Sequence, residues 1–124
     1  MSDFVTLKSN PDFRRLYKRG KAITNPALVI YYSKNRAGIC RIGITTGKKI
    51  GNAVERNRSR RIIREAFRSV VKDIDESYDF VFVARSKTKY LKSNYIENVM
   101  REMMISNGII AENVKEENDE RTSS

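Results

Sequence analysis

The spacing of apolar residues near the start of the chain predicts an amphipathic helix. Phe13, Leu16 and Tyr17 lie three and four residues apart, so a helix would place them on one face. The dipeptide Asn10-Pro11 supplies a start signal, because asparagine caps helices and proline is tolerated in the first turn. We therefore predict a first helix with Asn10 as its cap and these side chains on its inner face.

Beyond Gly20, which would end this helix, the pattern becomes that of β-strands. Residues 27–33 and 39–46 are rich in β-branched and aromatic side chains, and a turn signal at residues 35–38 separates them. This arrangement predicts a β-hairpin. Residues 21–24 are compatible with one further short strand before it.

The second half of the chain predicts two longer helices around one buried strand. Asn52 would cap a helix over residues 53–71, and residues 78–84 form a continuous apolar run typical of a buried strand. A last helix is expected over residues 89–106, with Gly108 as its stop signal. The order αβββαβα is typical of a two-layer sandwich of the α/β or the α+β class, and we expect an α+β two-layer sandwich.

Basic residues dominate the first part of the chain. The 124 residues carry a net charge of +10, and residues 1–72 hold 18 Lys and Arg against four acids. Residues 1–110 are expected to form a single nucleic-acid-binding domain, and residues 111–124 a disordered polar and acidic tail. Clustered positive charge favours a polyanion, and no lipidation motif or apolar span points to a membrane.

The composition also excludes several kinds of catalytic site. The chain has no histidine and one cysteine, Cys40, which rules out Ser–His–Asp triads, Cys–His pairs and an internal disulfide. A single cysteine suggests a reducing compartment, and we expect a cytoplasmic protein. The acids Asp73, Asp75, Glu76 and Asp79 lie in a short polar connection, so we interpret them as a solvated turn rather than a metal site.

The predicted central helix carries an apolar arc beside a basic one. On a helical wheel its apolar residues, among them Ile63 and Phe67, share one side. The basic arc consists of arginines and one asparagine. Guanidinium groups bind phosphate oxygens through two parallel hydrogen bonds, and the asparagine could contact a base edge or a 2′-hydroxyl. Gly51, Lys48 and Lys49 precede the helix start, where backbone N–H groups favour an anion. The basic arc carries Arg56, Asn57, Arg60, Arg61, Arg64 and Arg68.

Residues 48–68, centred on Arg56-Asn57-Arg58, resemble the signature of the protein subunit of bacterial ribonuclease P. The resemblance extends to residues 7–13 with Tyr17 and Gly20, and it covers residues 4–107 in all. It implies a mixed sheet of four strands or so, with a left-handed βαβ crossover, as in the second domain of a small-subunit ribosomal protein.

The resemblance also implies a function. Proteins of this family bind a catalytic RNA, and the ribonucleoprotein hydrolyses one phosphodiester bond to remove the 5′ leader of precursor tRNA. Catalysis is expected from the RNA and from Mg²⁺ bound mainly by it, so no catalytic residue is assigned to the protein. Expected partners are the catalytic RNA and precursor tRNA, without a membrane or an obligatory protein partner.

Site residues follow from the resemblance position by position. Unpaired bases of the leader would stack on aromatic side chains beside basic ones, although helical spacing alone favours a core role for these aromatics. The expected leader contacts are Phe13, Arg14, Tyr17, Tyr31 and Arg41, with Leu16 kept in the core. The expected contacts to the catalytic RNA are Lys48, Lys49, Asn52, Arg56, Asn57, Arg58, Arg60, Arg61, Arg64 and Arg68.

Two alternatives belong to other functional classes. A structural RNA-binding protein of ribosomal type would explain the charge and the arginine helix, but not the aromatic cleft with its own basic residues. A helix-turn-helix DNA-binding protein is disfavoured, because a β-hairpin rather than a short helix pair precedes the arginine helix. Preference for leader-bearing tRNA distinguishes the first alternative, and competition by duplex DNA distinguishes the second.

Overall fold

The computed structural model of the protein describes residues 3–111, which contain five strands and three α-helices in the order βαβββαβα. Residues 112–124, which contain most of the predicted disordered tail, lie outside the described residues. The strands are β1 (Phe4–Thr6), β2 (Lys21–Asn25), β3 (Leu28–Lys34), β4 (Cys40–Thr45) and β5 (Tyr78–Ala84), and the helices are α1 (Asn10–Arg19), α2 (Ala53–Val70) and α3 (Ser93–Ser106).

The strands form one mixed sheet with the order β1-β4-β5-β3-β2. The central strand β5 is antiparallel to β3 and parallel to β4. At the edges, β1 pairs in parallel with β4, and β2 pairs antiparallel with β3. The predicted α+β fold with a mixed sheet is confirmed, and β1 adds a fifth strand to those expected.

The predicted hairpin between residues 27–33 and 39–46 is wrong, because β5 lies between these two strands. Six of the seven residues of β5 are buried. Such a strand is stable where both of its edges are paired and both of its faces are covered. The hairpin is instead formed by β2 and β3, where Asn25 pairs with Leu28 and the Asn25 side chain accepts a hydrogen bond from the Ala27 N–H at 2.9 Å.

Helices cover both faces of the sheet. On one face Phe67 of α2 packs on Phe80 and Phe82 of β5, with ring centroids 5.4 Å apart in both pairs, and α3 completes this larger core. The sheet and the layer of α2 and α3 form the predicted two-layer sandwich, and α1 adds a helix on the opposite face. On the other face α1 covers a smaller cluster, which includes Leu16 as expected. Its buried members are Leu7, Leu16 and Val81.

Helix α2 connects two parallel neighbours, β4 and β5, and so completes a βαβ unit. The left-handedness of this crossover stays a prediction. The chain passes from the carboxyl end of β4 into α2, and β4 is parallel to β5. The first turn of α2 therefore lies beside the carboxyl ends of both strands. Within residues 3–111, no helix has both the length and the apolar composition that crossing a membrane requires.

The helix ends follow local chemistry, with two corrections to the prediction. The cap of α1 is Ser9 rather than Asn10, and its hydroxyl accepts a hydrogen bond from the Asp12 N–H at 3.3 Å. Helix α3 begins at Ser93 rather than near residue 89, because Thr88–Tyr90 forms a separate 3-10 turn. The expected caps and stops at Gly20, Asn52 and Gly108 are confirmed.

Candidate nucleic-acid interface

Helix α2 separates a buried stripe from a basic face, as predicted. Ile63, Phe67 and Val70 are buried in the main core. Ser59 is buried with them, although it is not part of the predicted apolar arc. Its hydroxyl donates to the Glu55 carbonyl at 3.1 Å, which satisfies this polar group inside the protein. The packing fixes the rotation of α2 and turns its basic side away from the core.

The arginines of α2 carry positive charge that no carboxylate neutralises. Within residues 3–111, none of the six arginines forms a salt bridge. Arg56 donates to the Gly51 carbonyl at 2.8 Å, and Arg60 donates to the Asn57 amide oxygen at 3.0 Å. Both partners are neutral, so the face keeps its positive potential. Arg58, Arg60, Arg61 and Arg68 are exposed, whereas Arg56 and Arg64 are half-buried.

A capping box fixes the start of α2. Asn52 Oδ1 accepts a hydrogen bond from the Glu55 N–H at 2.9 Å, and Glu55 Oε1 accepts one from the Asn52 N–H at 3.1 Å. The hydrogen bond from the Asn52 N–H contributes most to lowering the pKa of Glu55, and the hydrogen bond from Lys89 lowers it further. The Asn52 side chain, expected to contact RNA, is thus engaged by the cap. Lys48 and Lys49 are exposed in the turn before it, where the helix end favours an anion.

Three predicted aromatic residues meet on the opposite face of the sheet, beside α1. The Tyr17 and Tyr31 rings lie edge to face with centroids 4.8 Å apart, and the Tyr17 hydroxyl hydrogen-bonds to Thr45 Oγ1 at 3.0 Å. The Phe13 ring rests on Gly43 of β4, where a Cβ atom would overlap the ring. Tyr17 is 41% exposed, and Phe13 and Tyr31 are half-buried. The surface therefore combines ordered rings with access from solvent.

A buried carboxylate organises the cations beside these aromatics. Asp79 is 1% exposed and accepts hydrogen bonds from Arg41 at 2.7 and 2.8 Å, from Arg15 at 2.7 Å and from Asn35 at 2.7 Å. Burial raises the pKa of Asp79, but the hydrogen bonds from Arg41, Asn35 and Arg15 outweigh burial and hold its pKa below the ordinary value. Arg15 also forms a longer salt bridge with Asp12 at 3.5 Å, so two guanidinium groups and two carboxylates meet here.

The strand register places this charged cluster beside the aromatic surface. Arg41 of β4 pairs with Asp79 of β5. Two residues further along, Gly43 of β4 pairs with Val81 of β5, which pairs on its other side with Tyr31 of β3. Residues two apart on a strand share a face, so the two rows are neighbours. The interpretation of Asp79 as part of a solvated turn is wrong, because it lies inside β5 under two arginines.

Arg15 and Asn35 belong to this site but were absent from the prediction. The signal that could have found them is Asp79 itself, the one charged residue in the apolar run Tyr78–Ala84, because a buried carboxylate requires partners. The sequence does not indicate which residues these partners are, because Arg15 and Asn35 lie 64 and 44 residues from Asp79 in the chain. Arg14, a predicted leader contact, is exposed on α1.

Two of the other acids of the 73–79 segment, Asp73 and Glu76, are bound to basic side chains near the surface. Asp73 forms a salt bridge with Arg101, and Glu76 forms one with Lys34 at 2.7 Å. No three acidic or cysteine side chains of residues 3–111 come together as a metal-binding group. Cys40 is buried, as expected for a small apolar residue, and burial raises the pKa of its thiol.

Comparison with known proteins identifies relatives of the whole described fold. The family model described as Ribonuclease P matches residues 1–106. The ribonuclease P protein component of Clostridium botulinum (strain Loch Maree / Type A3) is 38% identical over 104 residues, which cover 83% of this chain and 94% of that protein. That of Clostridioides difficile (strain 630) is 48% identical over 84 residues, 67% of this chain and 74% of that protein.

Solved structures agree with these sequence matches. The Staphylococcus aureus RNase P protein superposes with a TM-score of 0.75 at 33% identity, covering 85% of this chain and 96% of that one. The Thermotoga maritima RNase P protein gives a TM-score of 0.67 at 28% identity, covering 82% of this chain and 92% of that one. Sequence and fold therefore point to the same family.

Proposed function

Because this chain belongs to the ribonuclease P protein family, we propose that the basic face of α2 binds the catalytic RNA and that the aromatic face beside α1 binds the 5′ leader of precursor tRNA. The activity of the family is tRNA 5′ maturation by a ribonucleoprotein endoribonuclease. The observation that carries the two assignments is the position of two different RNA-compatible surfaces on opposite faces of one sheet. One protein of this size can thereby contact two RNAs at once.

The α2 surface suits a folded RNA with closely spaced phosphates. Its arginines lie on a rigid helix, and guanidinium forks hold phosphate oxygens more specifically than ammonium groups do. Lys48 and Lys49 extend the charge to the helix start, and Asn52 contributes by holding the cap. The full set for the catalytic RNA is Lys48, Lys49, Asn52, Arg56, Asn57, Arg58, Arg60, Arg61, Arg64 and Arg68.

The aromatic surface suits a single strand. Bases without a pairing partner stack on aromatic rings, at about 1–3 kcal/mol per base, whereas paired bases offer no free face. Arg41 lies two residues along β4 from Gly43, which shares a register row with Tyr31, and Arg15 binds the same Asp79 carboxylate as Arg41. Asp12 balances part of this charge, but both guanidinium groups are partly exposed and keep N–H donors that can bind a leader phosphate. The proposed leader contacts are Phe13, Arg14, Tyr17, Tyr31 and Arg41, and we add Arg15 because it binds Asp79 together with Arg41.

We assign no chemical step to the protein. Residues 3–111 contain no grouped carboxylates or thiolate that fit a metal ion, and the buried Asp79 is fully occupied by its three partners. Mg²⁺ is proposed to be bound mainly by the catalytic RNA, where it would activate water for hydrolysis. The protein's contribution is to bring leader and catalytic RNA together and to reduce the repulsion between them. We place this activity in the cytoplasm, with the two RNAs as partners.

Reconstitution tests the proposed function. The purified protein is added to a bacterial ribonuclease P RNA, and leader removal from precursor tRNA is followed at a Mg²⁺ concentration too low for the RNA alone. We expect cleavage at the mature 5′ end only when both components are present. Tight RNA binding without stimulation of cleavage would instead support a structural RNA-binding protein, and competition by duplex DNA would support a DNA-binding role.

A further inference from the structure

The connection between β5 and α3 is a second concentration of positive charge, which we call the basic loop (residues 85–92). It contains Arg85, Lys87, Lys89 and Lys92 and no acidic residue. Solvated loops usually mix charges of both signs, so a loop with four cations and no acid attracts a polyanion. The basic loop belongs to neither of the surfaces described above.

A buried threonine holds the basic loop in one conformation. Thr88 is fully buried, and its hydroxyl accepts a hydrogen bond from the Arg85 N–H at 2.9 Å and donates one to the Ala27 carbonyl at 2.8 Å. The 3-10 turn Thr88–Tyr90 follows directly, and Leu91 packs against the main core. The loop is therefore ordered before any ligand binds, which reduces the entropy that binding must offset.

Lys89 joins the basic loop to the start of α2. Its ammonium group donates to the Ile50 carbonyl at 2.6 Å and forms a salt bridge with Glu55 of the capping box at 3.1 Å. Ile50 directly follows Lys48 and Lys49, two proposed contacts to the catalytic RNA. The basic loop is thus continuous with the surface assigned to that RNA.

Tyr90 projects from this loop. Its side chain is 76% exposed, the highest value among the large exposed hydrophobic residues of the described chain. The Lys89 ammonium group lies 5.1 Å from the ring centroid, a cation–π contact that steadies the ring. An exposed aromatic ring on an ordered basic loop is the arrangement on which unpaired bases stack.

We propose that Tyr90 stacks on an unpaired base of the catalytic RNA, while Arg85, Lys87 and Lys92 contact the flanking phosphates. The inference rests on the assignment of the α2 surface to that RNA. It adds a contact to an unpaired nucleotide, whereas the arginines of α2 contact phosphates of the folded RNA. The single strand bound here is a part of the catalytic RNA, distinct from the leader on the opposite face of the sheet.

Binding of a bacterial ribonuclease P RNA to three tyrosine variants tests this inference. Loss of one stacked base corresponds to about 1–3 kcal/mol, so Tyr90→Ala should weaken binding about 5- to 150-fold. Tyr90→Phe keeps the ring and should bind as the unsubstituted protein does. Tyr95→Ala is the matched control, because Tyr95 is 46% exposed on α3 and lies outside the proposed surface.

The dependence of binding on salt separates stacking from charge. Tyr90→Ala removes no charge and should leave the slope of log K against log salt unchanged. Lys87→Ala with Lys92→Ala should reduce the magnitude of that slope by about 1.4 to 1.8, because two fewer phosphates are neutralised. The ratio of affinities for precursor and mature tRNA should stay constant in every one of these variants.

Three results would overturn the inference. Tyr90→Ala could bind the catalytic RNA with full affinity, Tyr90→Phe could lose as much as Tyr90→Ala, or the precursor preference could fall, which would place Tyr90 on the tRNA. Arg60→Ala with Arg64→Ala serves as the internal reference. If that double variant loses affinity and Tyr90→Ala does not, the assignment of α2 stands and only the basic loop is wrong.

Discussion

At the scale of single residues, Asp79 is the side chain on which the leader surface most depends. A lone carboxylate inside an apolar strand is costly unless it is paired and hydrogen-bonded. Here two arginines and one asparagine satisfy it, and they come from α1, β4 and the β3–β4 connection. Asp79 therefore fixes the guanidinium groups of Arg15 and Arg41 relative to the rings beside them.

Asp79→Asn is expected to lower stability at neutral pH by about 2 kcal/mol, because hydrogen bonds to a charged group are weakened. The folded-state pKa of Asp79 lies below its ordinary value, so its contribution is present above about pH 4 and disappears as pH falls through the folded-state pKa. Thermal unfolding from neutral to acidic pH measures this. The curves of the two proteins should converge in acid.

Asp75→Asn is the matched control for this experiment, since Asp75 is exposed in the turn before β5 and undergoes the same change of charge. Its melting temperature should follow that of the unsubstituted protein at every pH. Parallel curves for Asp79→Asn and the unsubstituted protein would show that the carboxylate charge contributes nothing to the fold.

Gly43 is a second residue whose importance is visible only in the structure. The absence of a Cβ atom lets the Phe13 ring lie directly on β4, so the ring is supported from below while part of it stays accessible. This support orders an aromatic side chain that would otherwise lose entropy when a base stacks on it.

Phe13→Ala is expected to reduce affinity for precursor tRNA about tenfold in the reconstituted ribonucleoprotein, as one stacking partner of the leader is lost. Affinity for mature tRNA, which has no leader, should be unchanged. Tyr17→Ala provides a second variant with less effect on packing, because Tyr17 is 41% exposed. Equal losses for precursor and mature tRNA would remove these rings from the leader surface.

At the scale of elements, α2 combines a structural and a binding role without conflict. The buried stripe and the basic face occupy different sides of one helix, so the arginines are free to contact RNA while Phe67 anchors the helix in the core. Because no carboxylate among residues 3–111 is paired with these arginines, RNA binding need not break an existing salt bridge.

Arg60→Ala with Arg64→Ala is expected to weaken binding to the catalytic RNA and to reduce the salt slope by about 1.5 to 2. Affinity measured over a series of monovalent salt concentrations gives this slope. Lys34→Ala with Arg36→Ala removes the same charge from the end of β3 and the connection that follows it, and it should leave the slope unchanged. Identical slopes for both double variants would show that α2 lies outside the interface.

At the scale of the whole molecule, charge and topology together suggest how the protein assists an RNA enzyme. The whole chain has a net charge of +10, and its sheet has one proposed RNA surface on each face. Positive charge between two RNAs reduces the repulsion that divalent cations must otherwise screen. Electrostatic assistance of this kind weakens as ionic strength rises, because salt screens the charges. A structural role in RNA folding would depend on ionic strength less directly.

The Mg²⁺ concentration for half-maximal cleavage should fall when the protein is added to the catalytic RNA at low monovalent salt. This advantage should shrink between about 50 and 200 mM monovalent salt, where protein–phosphate contacts weaken strongly. Cleavage rates over a grid of both cations measure it, with the RNA alone as the reference. An advantage that persists undiminished at high salt would exclude electrostatic assistance as its cause.

The sequence by itself determined the features that depend on neighbouring residues. Helical spacing, caps and the apolar run at residues 78–84 predicted the bounds of α1, α2 and β5 within a residue or two. The same helical periodicity separated the arginine face from the apolar arc of α2. The aromatic set beside α1 needed the family resemblance as well, because helical spacing alone favours a core role for Phe13 and Tyr17.

Only the tertiary structure decided which strands became neighbours and which polar groups met. The expected hairpin failed because β5, which follows α2 in the chain, pairs between β3 and β4. The Asp79 cluster joins residues that lie 38, 44 and 64 positions apart in the sequence. Lys89 of the basic loop contacts the turn before α2 across 39 positions. Local patterns do not encode such contacts, since they form only when burial of the whole sheet outweighs the entropy of closing long loops.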